Sequence, residues 1–264
     1  MSRSPEYGLG LVLSGGGTRG VAHAAIIKGL LDEGLVPEVV SGASAGALIG
    51  ALYASGYKPR HMVKFFQNVE LFDPKALSWN LTGIINADGF EETLMGYFPD
   101  NEFEKLKCPL HVMTTNLLTG EGEVFNRGQL VRPLMASAAV PGIFSPVTIG
   151  AGLYADGGIY SNFPVKPLVR KCKMLIGVYV HPLSAMKPDE LRNPFDILQR
   201  AYDVSRTAAV RSLFRYCDYV MIPEGMEAYG IFDLERMDTI YGLGEQAIQR
   251  EIKGIKKLAR QLLS

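Results

Sequence analysis

The sequence predicts an α/β fold with three layers, in which helices cover both faces of a mainly parallel central sheet. Short apolar runs, such as residues 8–14 and 173–180, are typical of buried strands. Segments with apolar residues at helical spacing, such as residues 19–34, separate these runs. Because strands alternate with helices and the strands are apolar throughout, we expect a parallel sheet that is covered on both sides.

Composition and charge indicate a globular chain and exclude a general nucleic-acid binder. Hydrophobic residues make up 47% of the 264 residues, and 27 basic residues balance 27 acidic ones. A nucleic-acid-binding surface would require a basic excess. No repeat, linker or charge block divides the sequence, so we expect one domain over residues 1–264. The motifs described below fall within residues 8–182, and a helical C-terminal part is expected over residues 190–264.

The sequence gives no sign of secretion or of a membrane span. Its first residues, MSRSPEYG, lack the apolar core of a signal peptide, and the longer apolar runs are broken by glycine, proline or charge. The three cysteines form no C-x-x-C pair, as expected for free thiols in a reducing compartment. The sequence therefore predicts a soluble, cytoplasmic protein.

The first glycine cluster, SGGGTRG at residues 14–20, follows a predicted strand and opens a predicted helix. The spacing of Gly15, Gly17 and Gly20 is that of a dinucleotide-binding loop. Such a loop requires an acidic residue about 20 positions later, at the end of the second strand, to hold the ribose. The only acid nearby, Glu38, lies at the start of that strand. Nucleotide binding is therefore kept only as an alternative.

The second glycine cluster, GASAG at residues 42–46, fits the G-x-S-x-G pattern between a predicted strand and a predicted helix. This is the setting of a nucleophile elbow, in which a serine takes a strained backbone conformation. Gly42 and Gly46 would let strand and helix approach closely. Ser44 would project its hydroxyl at the helix N-terminus, where the helix dipole favours negative charge. A plain helix N-cap is the alternative role for Ser44.

The two glycine clusters are expected to lie side by side, because each follows one of two adjacent parallel strands. The exposed backbone N–H groups of residues 14–20 could then stabilise an oxyanion that forms at Ser44 during acyl transfer. Arg19 would add positive charge or fix the loop, unless it is a solvated residue of the first helical turn.

Asp156, within ADGGIYSNFP, is the preferred proton acceptor for the elbow serine. It follows an apolar strand, and Gly157 and Gly158 would let its loop approach the elbow. An ordinary turn is the alternative interpretation of this loop. Among the histidines, His181 is the best alternative base, although nothing around it in the sequence indicates an orienting acid. His23 is expected to support the first helix by packing or hydrogen bonding.

These motifs together resemble the patatin-like phospholipase family. The resemblance covers about residues 8–182, in which order and spacing agree with the family pattern. It rests on GGGTRG (15–20), GASAG (42–46), ASAAVPGIFSP (136–146) and the segment DGGIYSNFP (156–164).

The resemblance implies a patatin-like fold, related to the α/β-hydrolases, and a serine-dependent lipid acyl hydrolase of the phospholipase A, lysophospholipase or esterase type. It implies a dyad of Ser44 and Asp156, an acyl-enzyme on Ser44 and a site wall that includes Pro141. It implies no metal and no cofactor. An acyltransferase or thioesterase with the same dyad is the alternative. The implied oxyanion loop comprises Gly15, Gly16, Gly17, Arg19 and Gly20, with the N–H groups of Gly16 and Gly17 as donors.

The expected partner is a lipid or acyl-ester substrate, with transient contact to a membrane surface, no nucleic acid, and an oligomeric state that the sequence leaves open. Two apolar stretches, 77–85 and 224–232, could form a mouth for the substrate, or could pack under long loops. The predicted helix 195–216 could touch an anionic surface or a partner subunit, or could present a solvated polar face. Its arginines are Arg200, Arg206, Arg211 and Arg215.

Overall fold

The centre of the molecule, in a computed structural model, is a mixed sheet whose central strands are parallel. The structure describes residues 4–68 and 87–263. The order of strands across the sheet is β5-β6-β3-β2-β1-β7-β8, and β4 also pairs with β3. The strands in the described residues are β1 (Tyr7–Leu13), β2 (Val39–Ala43), β3 (Leu110–Asn116), β4 (Gly122–Phe125), β5 (Val147–Ile149), β6 (Gly152–Ala155), β7 (Cys172–Val178) and β8 (Tyr219–Met221).

Pairing is parallel in the middle of the sheet and antiparallel at one side. Strand β1 runs parallel to β2 and β7, and β2 runs parallel to β3. Strands β4 and β6 both pair with β3 in the antiparallel sense, and β5 pairs with β6 in the same way. Leu13 lies opposite Gly42, so the chain leaves β1 and β2 at the same edge of the sheet. This confirms that the two glycine clusters are neighbours.

Helices cover the sheet, and α1 and α2 lie where the sequence predicts helices after the two glycine clusters. Within the described ranges, none of the helices is long and apolar enough to cross a membrane. The helices are α1 (Val21–Asp32), α2 (Ala45–Ala54), α3 (Pro59–Asn68), α4 (Ala87–Tyr97), α5 (Val131–Ser137), α6 (Gly157–Ser161), α7 (Pro194–Arg211) and α8 (Met237–Leu262).

Two apolar cores, one on each face of the sheet, confirm the three-layer α/β architecture. Successive side chains of a strand point to opposite faces. Accordingly, Leu11 and Leu13 of β1 pack in a large core with residues of α1, α2 and α8. Val12 packs in a smaller core on the other face with Phe163 and with Val210 of α7. All five residues of β2 are buried, as expected for a strand with both faces covered.

Two helices are shorter than the sequence indicates. The predicted helix 195–216 ends at Arg211, and a separate 3₁₀ turn follows at Phe214–Tyr216. Between them the hydrogen bonding changes from α-helical to 3₁₀ spacing, because the Leu213 N–H donates to the carbonyl of Val210, three residues back. Apolar spacing also predicts a helix over residues 128–140, of which only Val131–Ser137 is helical.

The junction between β2 and α2 is possible only because two of its residues lack side chains. A Cβ on Gly42 would lie 2.5 Å from the carbonyl oxygen of Gly46. A Cβ on Gly46 would overlap the carbonyl oxygen of Leu13. Both obstacles are backbone atoms, which cannot move aside without shifting a strand or a helix. The sequence expectation that these glycines permit a close strand–helix approach is confirmed.

We expect Gly46→Ala to destabilise the protein by about 1–3 kcal/mol, because the added methyl group forces β1 and α2 apart. Urea denaturation followed by far-UV circular dichroism measures the loss. Gly242→Ala is the matched control, since a Cβ there meets nothing within 4 Å. In the interior of α8 this second change should stabilise the helix by up to about 1 kcal/mol. Equal effects of the two substitutions would contradict the steric explanation.

Candidate active site

Ser44 stands at the sharp turn between β2 and α2, in a backbone conformation that few side-chain-bearing residues adopt. Its φ is 52° and its ψ is −126°. Such a conformation costs on the order of 1–3 kcal/mol and persists only where surrounding contacts hold it. One such contact is made by the Ser44 N–H, which donates to the Ser137 hydroxyl at 2.8 Å. The Ser137 hydroxyl in turn donates to the carbonyl of Met113 at 2.7 Å.

The Ser44 side chain does not act as a helix cap. It makes no hydrogen bond to the first turn of α2, although it occupies the N-cap position. It is 8% exposed and lines a narrow cavity. The hydroxyl is therefore left to face the cavity at the N-terminus of α2, where the helix dipole favours negative charge.

Asp156 lies across the same cavity at the N-terminus of α6. Its Oδ1 accepts a hydrogen bond from the Gly158 N–H at 2.7 Å. Its backbone is fixed as well, because its N–H donates to the Ala139 carbonyl at 2.9 Å and its carbonyl accepts from the Thr115 hydroxyl at 2.8 Å. Oδ2 is buried without a hydrogen-bond partner among the described residues. One carboxylate oxygen is thus anchored and the other is available.

The electrostatic environment of Asp156 is set by burial and by three groups that favour its charged form. Burial raises the pKa of the Asp156 carboxyl above its ordinary value. The Ser44 hydroxyl, the positive charge of Arg206 and the Gly158 N–H each partly offset this rise in pKa. Ser44 and Asp156 are therefore close enough to interact, although Oδ2 has no completed hydrogen bond.

The glycine loop after β1 supplies backbone donors to the same cavity. Gly16 and Gly17 line it, and in the described part of the chain neither N–H donates to another backbone carbonyl. Gly17 has a φ of 59°, and a Cβ there would overlap the carbonyl oxygen of Ile231. Gly15 differs, because its N–H donates to the Asn162 carbonyl at 3.2 Å. Gly20 has a packing role, since a Cβ there would lie 2.7 Å from the Cβ of Ala45.

The cavity walls come from segments that are far apart in the sequence. The predicted wall 136–146 contributes Ala138, Val140 and Phe144, whereas Pro141 is exposed and does not line the cavity. The predicted mouth 224–232 contributes two apolar side chains, and the other predicted stretch, 77–85, lies outside the described residues. Ala45, Tyr202, Ile231 and Phe232 also line the cavity.

Arg19 fixes the glycine loop to the C-terminal part of the chain. It is buried, and its Nε donates to the Tyr229 carbonyl at 2.8 Å. Its Nη1 lies 3.1 Å from Nδ1 of His181. Burial lowers the pKa of the guanidinium, yet Arg19 remains a cation at every physiological pH. Arg19 is therefore not a solvated residue of the first helical turn, because it is buried and contacts the C-terminal part of the chain.

His181 has the orienting acid that the sequence does not indicate. Its Nε2 lies 3.1 Å from Oδ1 of Asp203, on α7. Nη2 of Arg206, which can only donate, also lies 2.7 Å from Nε2 and 3.2 Å from Nδ1, so one carboxylate and two guanidinium groups surround the ring. Burial and the nearby positive charge of Arg206 lower the pKa of His181 to about 4. His181 does not line the cavity, so it is poorly placed to act as a base.

Arg206 is the site residue whose position the sequence analysis did not foresee. Its side chain is 8% exposed and lines the cavity, and it pairs with Asp203 at 2.8 Å. The guanidinium also lies over the Tyr202 ring, 4.9 Å from its centre. Tyr202, Asp203 and Arg206 follow the i, i+1, i+4 spacing of one helix face, which was the available signal.

Other candidate groups lie apart from this cavity. The His23 Nε2–H donates to the carbonyl of Ser14 at 2.9 Å, so this buried histidine supports the first helix as predicted. Cys108, Cys172 and Cys217 are free thiols. Across residues 4–68 and 87–263, no three His, Cys, Asp or Glu residues gather in a group that could hold a metal ion.

This arrangement is that of an α/β protein with a strained serine at the turn between a buried strand and a helix. The model of the family described as "Patatin-like phospholipase" matches residues 11–169, which include every motif named above. The chain belongs to the patatin-like phospholipase family.

Curated relatives align over most of this chain but are much longer. Lysophospholipase NTE1 of Kluyveromyces lactis is 26% identical over 89% of this chain and 18% of its own length. An uncharacterized NTE family protein of Mycobacterium tuberculosis is 32% identical over 63% of this chain and 46% of its own length. The chain thus spans less than half the length of either relative.

Solved structures share the fold at low sequence identity. VipD from Legionella pneumophila superposes with a TM-score of 0.54 at 15% identity, over 90% of this chain and 67% of VipD. Human GIVD cytosolic phospholipase A2, solved with methyl gamma-linolenyl fluorophosphonate, gives a TM-score of 0.52 at 10% identity, over 98% of this chain and 59% of that one. At identities this low, the superpositions show a common fold alone.

We expect the free energy of unfolding to fall as the pH is lowered from about 6.5 to about 4. Burial lowers the pKa of His23, His111 and His181 to about 4 each, whereas an unfolded histidine titrates near pH 6.5. In that interval the unfolded chain binds more protons, so acid favours unfolding. For His23 alone the loss amounts to about 3 kcal/mol.

Urea titrations at several pH values measure this dependence. His23→Gln keeps a donor for the Ser14 carbonyl but cannot titrate. The free energy of unfolding of this variant should therefore fall less steeply over the same interval. The slope should correspond to about one proton fewer taken up on unfolding. Identical slopes for this variant and the unchanged protein would contradict the assignment of a neutral, buried His23.

Proposed function

We propose that this chain hydrolyses carboxylic esters of lipids, with Ser44 as nucleophile and Asp156 as proton acceptor. One observation carries the proposal. A strained, uncapped serine and a buried carboxylate with one unpartnered oxygen meet at one cavity, beside a glycine loop with unused N–H groups. These are the groups that acyl transfer through a serine needs.

In the first half of the reaction, Ser44 Oγ attacks the ester carbonyl carbon while Asp156 Oδ2 accepts the hydroxyl proton. The tetrahedral intermediate collapses when the bond between the carbonyl carbon and the alcohol oxygen breaks. The alcohol takes the proton from Asp156 as it leaves. The acyl group is now esterified to Ser44, and Asp156 is ionised again.

In the second half, a water molecule attacks the acyl-enzyme, and Asp156 accepts a proton from that water. Collapse of the second intermediate breaks the bond to Ser44 Oγ, which recovers its proton from Asp156. The released product is a carboxylic acid, a fatty acid when the substrate is a lipid. Asp156 can serve both halves only while it is ionised, which the nearby charge of Arg206 favours.

The negative oxygen of each intermediate would be held by the N–H groups of Gly16 and Gly17 and by the N-terminus of α2. A preorganised donor of this kind lowers the activation free energy by roughly 3–4 kcal/mol. Arg19 takes part indirectly, because its bonds to Tyr229 and His181 hold the glycine loop in place. Gly15 would not donate, since its N–H is already used.

The family and the apolar cavity walls support a lipid as the substrate. Phe144, Ile231 and Phe232 offer apolar surface to an acyl chain beside Ser44. A relative that aligns over most of this chain is named a lysophospholipase. Lysophospholipids, phospholipids and short-chain esters are therefore the substrates to compare first.

We expect Ser44→Ala to abolish labelling by a fluorophosphonate and to lower kcat by at least roughly 10⁴-fold, because the nucleophile is removed. Asp156→Asn should lower kcat by about 10⁴-fold, since an amide accepts no proton. Mass spectrometry locates the label, and fatty-acid release measures turnover.

His181→Asn is the matched comparison for the base. It should retain more activity than Asp156→Asn, because His181 lies outside the cavity. Activity that survives Asp156→Asn but not His181→Asn would assign the base to the histidine instead. Tight binding of NAD or ATP without a fluorophosphonate adduct would favour the nucleotide-binding alternative.

We expect Arg206→Gln to move the acidic limb of the kcat/KM profile to higher pH. Burial raises the pKa of Asp156, and the positive charge of Arg206 partly offsets that rise. Without this charge the pKa of Asp156 rises further, so activity is lost at a higher pH as the solution is acidified. Arg206→Lys keeps the charge and should shift the limb less. Arg211→Gln removes the same charge from the exposed end of α7 and should leave the profile in place. An unmoved limb in Arg206→Gln would contradict this role.

A further inference from the structure

Over residues 197–208, helix α7 turns polar side chains inward and apolar side chains outward, whereas Val210 in its last turn is buried in the smaller core. The side chains that face the cavity and the sheet include Tyr202, Asp203 and Arg206, which are polar. The side chains that face outward include Ile197, Leu198 and Val204, which are 54%, 69% and 48% exposed. A surface helix normally buries its apolar stripe and exposes its charges.

The outward apolar side chains form one continuous stripe. Exposed apolar residues occur at positions 197, 198, 201, 204 and 208, which is the spacing of a single helix face. Ala201 and Ala208 fill the intervals between the larger side chains, and Met186, just before the helix, is 39% exposed. Single exposed apolar residues are common, but a contiguous stripe indicates an interaction surface.

We propose that this outer stripe of α7 is a docking surface for a lipid aggregate. The proposal rests on the function proposed above, because the substrate then resides in such an aggregate. The inner face of α7 lines the cavity at Ser44 through Tyr202 and Arg206. A surface bound to the outer face therefore lies about one helix diameter, ~10 Å, from that cavity.

The size of the stripe favours a lipid surface over a second copy of the chain. The stripe spans residues 197–208, about 18 Å of helix, so one face about 10 Å wide offers roughly 180 Å². A stable protein interface needs about 800 Å² on each partner. An amphipathic helix can bind a bilayer surface with an apolar face of this size, provided that electrostatic attraction contributes.

Exposed basic residues at the C-terminal end of α7 could attract anionic lipid headgroups. Arg211 ends α7 and Arg215 follows it, and both are exposed. Lys187 is exposed ahead of the helix, although Asp189 and Glu190 lie beside it. The net positive charge is thus at the C-terminal end of the stripe. Anionic headgroups should contact this end.

Flotation with phospholipid vesicles tests the docking surface. The protein carrying Ser44→Ala, which leaves the vesicles intact, is mixed with phosphatidylcholine vesicles that contain increasing phosphatidylglycerol. We expect binding to increase with the anionic fraction and to weaken at high salt. Adding Ile197→Gln and Leu198→Gln should lower the partition constant about tenfold, through the loss of two inserted side chains.

Leu118→Gln is the matched control. Leu118 is 66% exposed, close to the exposure of Leu198, but lies between β3 and β4. Its replacement should leave vesicle binding unchanged. In the otherwise unaltered protein, the double substitution on α7 should lower hydrolysis of vesicle lipid about tenfold. Hydrolysis of a water-soluble short-chain ester should change less than about twofold, since the cavity is untouched.

Several outcomes would overturn the proposal. These are absence of vesicle binding, equal binding of the double variant, or an equal loss with Leu118→Gln. A dimer that the double substitution dissociates, seen by analytical ultracentrifugation, would assign the stripe to a second copy. A large fall in Tm would show that the stripe is covered within the folded chain. Absence of all ester hydrolysis would instead refute the proposed function, while the flotation result still decides the docking surface.

Discussion

The site depends on the parallel pairing of β1 with β2 and on the missing side chains at the turn after β2. Leu13 pairs with Gly42, and α2 begins so close that a Cβ on Gly46 would overlap the Leu13 carbonyl. This contact holds β1 close to α2, with Ser44 in its unusual backbone conformation at the start of α2 and the glycine loop beside it. A wider junction would move the Ser44 hydroxyl away from the glycine loop.

The C-terminal part of the chain completes this arrangement, although the family model ends at residue 169. Arg19 of the glycine loop contacts Tyr229 and His181. Asp203 of α7 in turn pairs with His181 and with Arg206 of the same helix. Two guanidinium groups, one carboxylate and one neutral imidazole thus form a largely buried cluster behind the cavity. Because buried charges are tolerated only when they are paired, each segment constrains the others.

The sequence predicted the α/β fold, the strand order near the site and the neighbouring glycine clusters, because these follow from local periodicity and chain reversal. It did not predict the placement of Arg206, because a helix of mixed polarity leaves open which face turns inward. It missed the pairing of His181 with Asp203 for a related reason, since a contact across 22 residues depends on packing. Pro141 was placed in the wall by resemblance, whereas its neighbours Val140 and Phe144 occupy it.

The anchoring of Asp156 distinguishes its two carboxylate oxygens. Its Oδ1 is fixed by the Gly158 N–H, so the carboxylate cannot rotate to exchange its two oxygens without breaking that bond. If Asp156 is the base, a single oxygen takes the proton from serine and later from water, along one path. A histidine, by contrast, has a second nitrogen that must be oriented by another residue. In the proposed mechanism the backbone of α6 would fulfil that orienting role, and the carboxylate would need no reorganisation between the two half-reactions.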